Sequence, residues 1–195
     1  MIRKTFSLPF SPDCLPPGQE TVTAARIGNM VFTSGVPGID MATGKLARGP
    51  EAQFRAAFAN LVTLLKHAGA GPKSVGLLTV FIPDRNNRAY INRDWLALYP
   101  GADRPARKTN QAPLPEGLEV QLMAACVLGE KRVPVEIPGL SHKDPLPMGA
   151  KLGRVVFSSV FAPEDPKDGK LASGALPQID RVFENMKLLM HHAGG

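Results

Sequence analysis

Apolar and polar positions along this 195-residue chain fall into two periods, one of a helix and one of a strand. Ala25–Ile27 and Met30–Ser34 are short β-prone runs separated by Gly28–Asn29, a hairpin signal. Val36–Arg48 carries Pro37, Gly38, Asp40 and Gly44 and reads as a loop. Gly49–Pro50 then opens a helix, because proline is tolerated at a first helical position whose N–H has no intrahelical partner. Phe54, Phe58, Leu61 and Leu65 follow at i, i+4, i+7 and i+11, an apolar stripe expected in the core, and Gly69 ends the helix. Val75–Ile82 is β-prone, and Asn87–Tyr99 is a second helix with Tyr90, Trp95 and Leu98 as its apolar candidates. Ala106–Gln111 predicts a short strand and Leu118–Leu128 a long one. In the long one Val120, Leu122, Ala124, Cys126 and Leu128 share a face, opposite Glu119, Gln121, Met123, Ala125 and Val127. The order β-β-α-β-α-β-β predicts an α+β fold with helices on one face of a mixed sheet.

The chain also matches itself at an offset of 125 residues. Arg26–Gly35 falls on Lys151–Val160, and residues 43–47 fall on 168–172. Gln53, Phe58, Asn60, Leu64, His67, Ala68 and Gly69 fall on identical residues up to Gly194. Between Gly28 and Gly69, 17 of 42 positions are identical, and the shared residues are of too many types for low complexity. The helical stripe recurs as Ile179, Phe183, Met186 and Met190, again expected in the core. The expected organisation is a complete domain over 1–131, a proline-rich linker over 132–149 without periodicity, and the first half of a second copy over 150–195. Such a half-copy lacks the strands that would pair with Val155–Ser159, so it would expose apolar surface and a sheet edge. It suggests a reading frame that continues past Gly195, this chain being a fragment or truncated product.

Composition narrows the function classes. Hydrophobic residues make up 44% and charged residues 21%, an ordinary globular balance, and no apolar run reaches the roughly 18 residues of a membrane span. Met1–Pro12 holds no apolar run of signal-peptide length. Two cysteines, Cys14 and Cys126, make neither a disulfide framework nor a four-ligand metal site, so a reducing, cytoplasmic setting is expected. His67 and His192 sit at helix ends, where they complement the C-terminal partial charge, and His142 and His191 have no partners at ligand spacing; no metal is expected. The net charge of +6 permits nucleic-acid binding. Its basic residues are scattered, however, and one Trp and two Tyr give little for bases to stack on, so nucleic acid is not the expected partner.

The motifs resemble those of the RidA family, also called the YjgF family, of small imine/enamine deaminases and their relatives. The matching residues are Gly28–Gly35, Thr43–Leu46, Gln53, Asn60, Ala68–Gly69, Thr79–Phe81, Asn92, Pro105–Arg107, Leu114–Pro115 and the final strand, across nearly all of 20–130. The resemblance implies a chorismate-mutase-like α+β fold and a trimer or pseudo-trimer with ligand sites in the clefts between subunits. The activity it implies is hydrolysis of 2-imino acids to 2-oxo acids and ammonia without a cofactor. By the same resemblance Arg107 would hold the substrate carboxylate, a task suited to a guanidinium fork. Ser34, Gly35 and Asn92 would complete the binding residues. A proton-transferring glutamate is implied on the last strand. Ungapped alignment puts Gln121 there, and a two-residue gap puts Glu119 there; the strand pattern allows both. A glutamine cannot transfer a proton, though it can hold a water. Further departures are Thr21 for a tyrosine and Thr109 for a cysteine; in the second copy Val160 stands for the glycine and Leu146 for the tyrosine. The expected function is therefore binding of small 2-imino or 2-oxo carboxylates with imine hydrolysis. Two alternatives are a non-catalytic carboxylate sensor and, more remotely, an RNA-binding translation inhibitor.

Overall fold

The computed structural model describes residues 2–8 and 23–195; Cys14 and Thr21 lie outside that range. The first region is a mixed sheet with two helices on one face. Its strands are β1 (Arg3–Phe6), β2 (Ala24–Ile27), β3 (Met30–Thr33), the two-residue β4 (Val36–Pro37), β7 (Val75–Ile82), β8 (Ala106–Gln111) and β9 (Gln121–Val127), in the order β1-β2-β3-β9-β7-β8 with β4 also on β9. All neighbours are antiparallel except β7 and β8, which are parallel because helix α2 (Arg88–Leu98) crosses between them. Two further two-residue strands, β5 (Ile39–Asp40) and β6 (Lys45–Leu46), pair within the stretch expected as a loop.

Local chemistry sets these boundaries. The β2–β3 turn needs Gly28 at φ 61°. Helix α1 (Gly49–His67) carries a proline in its first turn, Glu51 near its positive end and Lys66 and His67 at its negative end. Phe54, Phe58, Leu61 and Leu65 all pack beneath α1 into one core with Val31, Leu78, Val80, Leu122 and Trp95. No helix among the described residues is long and apolar enough to cross a membrane.

The C-terminal region adds β10 (Arg132–Val135), β11 (Gly149–Leu152), β12 (Val155–Ser158) and α3 (Ala175–His192), with β10-β11-β12 forming a separate antiparallel sheet. The expectation of a featureless linker over 132–149 fails here. Arg132–Val135 pairs with β11 as an edge strand, where the missing N–H of Pro134 is tolerated, and Val135, Ile137, Leu140 and Met148 are buried in a second core. The register of the two regions is alike. Arg3 pairs with Ile27 in the first and Arg132 with Leu152 in the second. Asn60 donates from Nδ2 to the carbonyls of Pro37 (3.2 Å) and Ile39 (2.8 Å); 125 residues on, Asn185 donates to those of Ala162 (3.2 Å) and Glu164 (3.0 Å).

The second sheet lies flat against β7 and β8. Ala106, Val127, Ala150 and Leu152 are buried between the sheets, flanked by Leu77, Val155 and Phe157. Gly76 is needed there, since a Cβ at that position would come within 2.2 Å of the Phe157 ring. Arg132 fastens the edge. Its buried guanidinium donates to the carbonyls of Asp103, Pro72, Lys73 and Val75 and stacks 5.2 Å from the Tyr99 ring centroid. The α3 stripe, expected in the core, is not in it: Ile179, Phe183, Met186 and Met190 are 42–59% exposed. Leu189 and Asn185 are the buried residues of that helix.

Candidate ligand-binding site

Strand β8 carries Arg107 next to Ala106, and because neighbours on a strand face opposite ways, Ala106 goes to the second sheet while Arg107 turns toward α2. On α2, Arg88, Asn92 and Trp95 stand at i, i+4 and i+7, one helical face. The Arg107 guanidinium lies 5.0 Å from the Trp95 ring centroid, and Nη2 donates to Asn92 Oδ1 at 2.8 Å. The Trp95 ring is fixed by its Nε1–H, which donates to the Pro145 carbonyl at 3.0 Å.

The other half of the site comes from the C-terminal region. Asp144 accepts from Arg107 Nη2 at 3.1 Å, from Arg88 Nη2 at 2.5 Å and from Asn92 Nδ2 at 3.0 Å. The Arg107 backbone N–H donates to Ser159 Oγ at 3.1 Å, and Ser159 Oγ–H donates to the Pro147 carbonyl at 2.7 Å. Between the two regions lies a cavity of about 320 Å³, at the small end of ligand-sized pockets. Arg107, Thr109 and Arg88 wall it from the first region. Leu140, His142, Lys143, Asp144, Leu146, Met148, Val160 and Glu164 wall it from the second.

Arg107 is 2% exposed, and its Nη1 is buried without a hydrogen-bond partner among the described residues. Burial pulls the guanidinium down to about 10, against the opposing pull of Asp144, so it stays cationic at neutral pH. Burial pushes the Asp144 carboxyl up, but the bonds from Asn92 and Arg88 and the charges of Arg88 and Arg107 outweigh it and hold the group below its ordinary value. Burial likewise lowers His142, whose Nε2 is buried without a hydrogen-bond partner among the described residues. The chemistry available is therefore a desolvated guanidinium with one free N–H edge, a neutral imidazole and an apolar wall. No group of three or more His, Cys, Asp or Glu among the described residues could hold a metal ion.

Of the six residues expected at the site, Arg107 and Asn92 meet here. Asn92 reaches the site through its bonds to Arg107 and Asp144 without lining the cavity, and Ser34, Gly35, Glu119 and Gln121 do not line it either. Gln121 lies on the Gly35 backbone, so closely that a Cβ at Gly35 would come within 2.1 Å of the Gln121 amide carbon. Glu119 accepts from Asn87 Nδ2 at 2.9 Å, while its backbone N–H donates to Gln53 Oε1. Ser34 closes β3 with its N–H on the Thr23 carbonyl. Asp144, Arg88 and His142 were missed by sequence reasoning. The α2 spacing offered a signal for Arg88; Asp144 and His142 sit in a segment without periodicity and gave none.

The family model described as endoribonuclease L-PSP matches residues 16–126. A 2-iminobutanoate/2-iminopropanoate deaminase from Mus musculus is 30% identical over 131 residues, covering 66% of this chain and 94% of the mouse protein. Among solved structures, RidA from an Antarctic Psychrobacter species superposes with a TM-score of 0.54 at 27% identity, covering 63% of this chain and all of that one. Escherichia coli TdcF with bound serine gives 0.52 at 28% identity, covering 56% and 88%.

Proposed function

This chain belongs to the RidA/YjgF family, and from that premise we propose that it binds small 2-imino and 2-oxo carboxylates in the Arg107 cavity and hydrolyses the imino acids to 2-oxo acids and ammonia. The single observation that carries this is Arg107: it lines a cavity of small-molecule size, and its buried Nη1 has no hydrogen-bond partner among the described residues. A desolvated cation there gains from a carboxylate what it cannot gain from water. The curated relative named as an imine deaminase and the serine-bound structure of TdcF support the ligand class, because serine also presents a carboxylate beside a C2 nitrogen.

Residues 132–192 act in this proposal as a partial second unit that supplies the neighbouring half of the site within one chain. The register shared by β1–β2 and β10–β11 and the paired roles of Asn60 and Asn185 support it. So do Val160 and Leu146 in the cavity wall, the residues standing 125 positions after Gly35 and Thr21. The expected assembly is a trimer or pseudo-trimer.

One observation favours a second reading, a carboxylate sensor without turnover. Gln121 is pressed onto Gly35 and Glu119 is engaged by Asn87, so neither candidate for proton transfer lines the cavity. A coupled assay with freshly generated 2-iminopropanoate, alongside calorimetric titration with 2-oxobutanoate, separates the two. Turnover lost in Arg107→Ala supports the deaminase, and saturable binding without turnover supports the sensor. Binding and turnover both unchanged in Arg107→Ala would sink both.

A further inference from the structure

We propose that His142 is a specificity-determining residue of the Arg107 cavity, contacting the polar atom on C2 of a bound 2-oxo or 2-imino monocarboxylate; this rests on the carboxylate site proposed above. Arg107 and His142 both line the cavity, and each carries a buried nitrogen without a hydrogen-bond partner among the described residues, Arg107 Nη1 and His142 Nε2. They come from opposite sides, one from β8 and one from the segment between β10 and β11. Leaving a buried donor or acceptor unpaired is costly, so a ligand that pairs both gains twice.

The two contacts would do different work. Asn92 and Asp144 already take both N–H groups of Arg107 Nη2, which leaves the guanidinium only its Nη1 edge rather than a two-point fork. A carboxylate held on that edge alone could swivel, and a second polar contact fixes its orientation. The charged groups around His142 set the ligand's charge. Arg107 on β8, Arg88 on α2, Lys143 and Asp144 beside it on its own segment, and Glu164 after β12 leave one net positive charge when the imidazole is neutral. That suits a monoanion and disfavours a dicarboxylate. Leu146, Met148 and Val160 suit a short aliphatic tail.

Burial favours the neutral imidazole at neutral pH. A neutral ring carries one N–H, so Nε2 donates to a 2-oxo oxygen in one tautomer and accepts from an imine N–H in the other. One side chain thus reads both the imino acid and the oxo acid.

The test compares 2-oxobutanoate with butanoate, which lacks the C2 oxygen, by calorimetric titration of the full chain at pH 7.5. The wild type is expected to prefer 2-oxobutanoate by about ten-fold, the worth of one hydrogen bond. His142→Phe should bring the two within about two-fold while leaving butanoate binding unchanged, and His142→Gln should keep part of the preference. Arg107→Ala should lose both ligands. A preference that survives in His142→Phe, or is missing in the wild type, overturns the role of His142 and leaves the carboxylate site standing. Loss of both ligands in His142→Phe and His142→Gln alike makes the residue merely structural and also overturns it. A wild type that binds neither ligand overturns the site itself.

Discussion

Helices α1 and α3 carry the same apolar stripe in the same spacing, and the protein treats the two in opposite ways. Phe54, Phe58, Leu61 and Leu65 are at most 6% exposed, whereas Ile179, Phe183, Met186 and Met190 at the equivalent positions are 42–59% exposed. The difference lies beneath the helices. α1 rests on β4, β5 and β9 and against α2, while α3 touches β12, which among the described residues pairs with β11 alone. Periodicity thus fixes which face of a helix is apolar, but burial depends on strands far away in the chain. Both helices still keep an asparagine that ties them to the loop after their hairpin, so the local frame of α3 is held even where its apolar face is open.

The sharpest way to break this comparison is at its aromatic pair. Phe58→Ala should cost about 3–5 kcal/mol in chemical denaturation, whereas Phe183→Ala should stay within about 0.5 kcal/mol. Equal losses would mean that the α3 stripe is covered. Next come the asparagines. Asn60→Ala should cost about 1–3 kcal/mol, because two buried carbonyls lose their donor. Asn185→Ala should cost less, since its Oδ1 is buried without a partner among the described residues and its removal relieves that burden. A third probe addresses the contact between the regions. Asp144 is held below its ordinary value, so the unfolded chain takes its proton first as pH falls below about 4. Its stabilisation is present above that pH and is lost as pH drops through the lowered folded value. His142 is lowered too, and the unfolded chain gains its proton first below about pH 6.5, so stability declines from there. Thermal melts across pH should show both limbs, and Asp144→Asn should flatten the more acidic one. The smallest expected change in stability is in the pair Ile179→Glu, Phe183→Glu, within about 0.5 kcal/mol. Its readout is sedimentation, where any self-association through the stripe should fall away.

Strands β2, β3, β7, β8 and β9 and both helices of the first region were legible because each satisfies a local rule, such as glycine at the β2–β3 turn, proline opening α1 and alternation along most of β9, whereas β1 and the short β4, β5 and β6 were not. What escaped sequence reasoning depended on distant contacts. Arg132–Val135 reads as linker because a proline sits inside it, and only its pairing with β11 makes it a strand. Arg107 and Asn92, 15 residues apart, are brought together by the α2–β8 connection. Asp144 closes on them from 37 residues beyond Arg107, a distance that no spacing rule reaches. Whether Gln121 or Glu119 occupies the strand position was open in the sequence. The structure engages both side chains elsewhere, through a glycine backbone and an asparagine amide that carry no local signature.

Arg132 has a practical consequence for anyone dividing this chain. A cut after residue 131, where proline-rich sequence invites one, would remove the guanidinium that satisfies the carbonyls of Pro72, Val75 and Asp103 and covers Tyr99. It would also strip the apolar cover from Leu77 and Ala106. The shortened piece would inherit open carbonyls and a greasy sheet face, and would be expected to precipitate more readily than the whole chain.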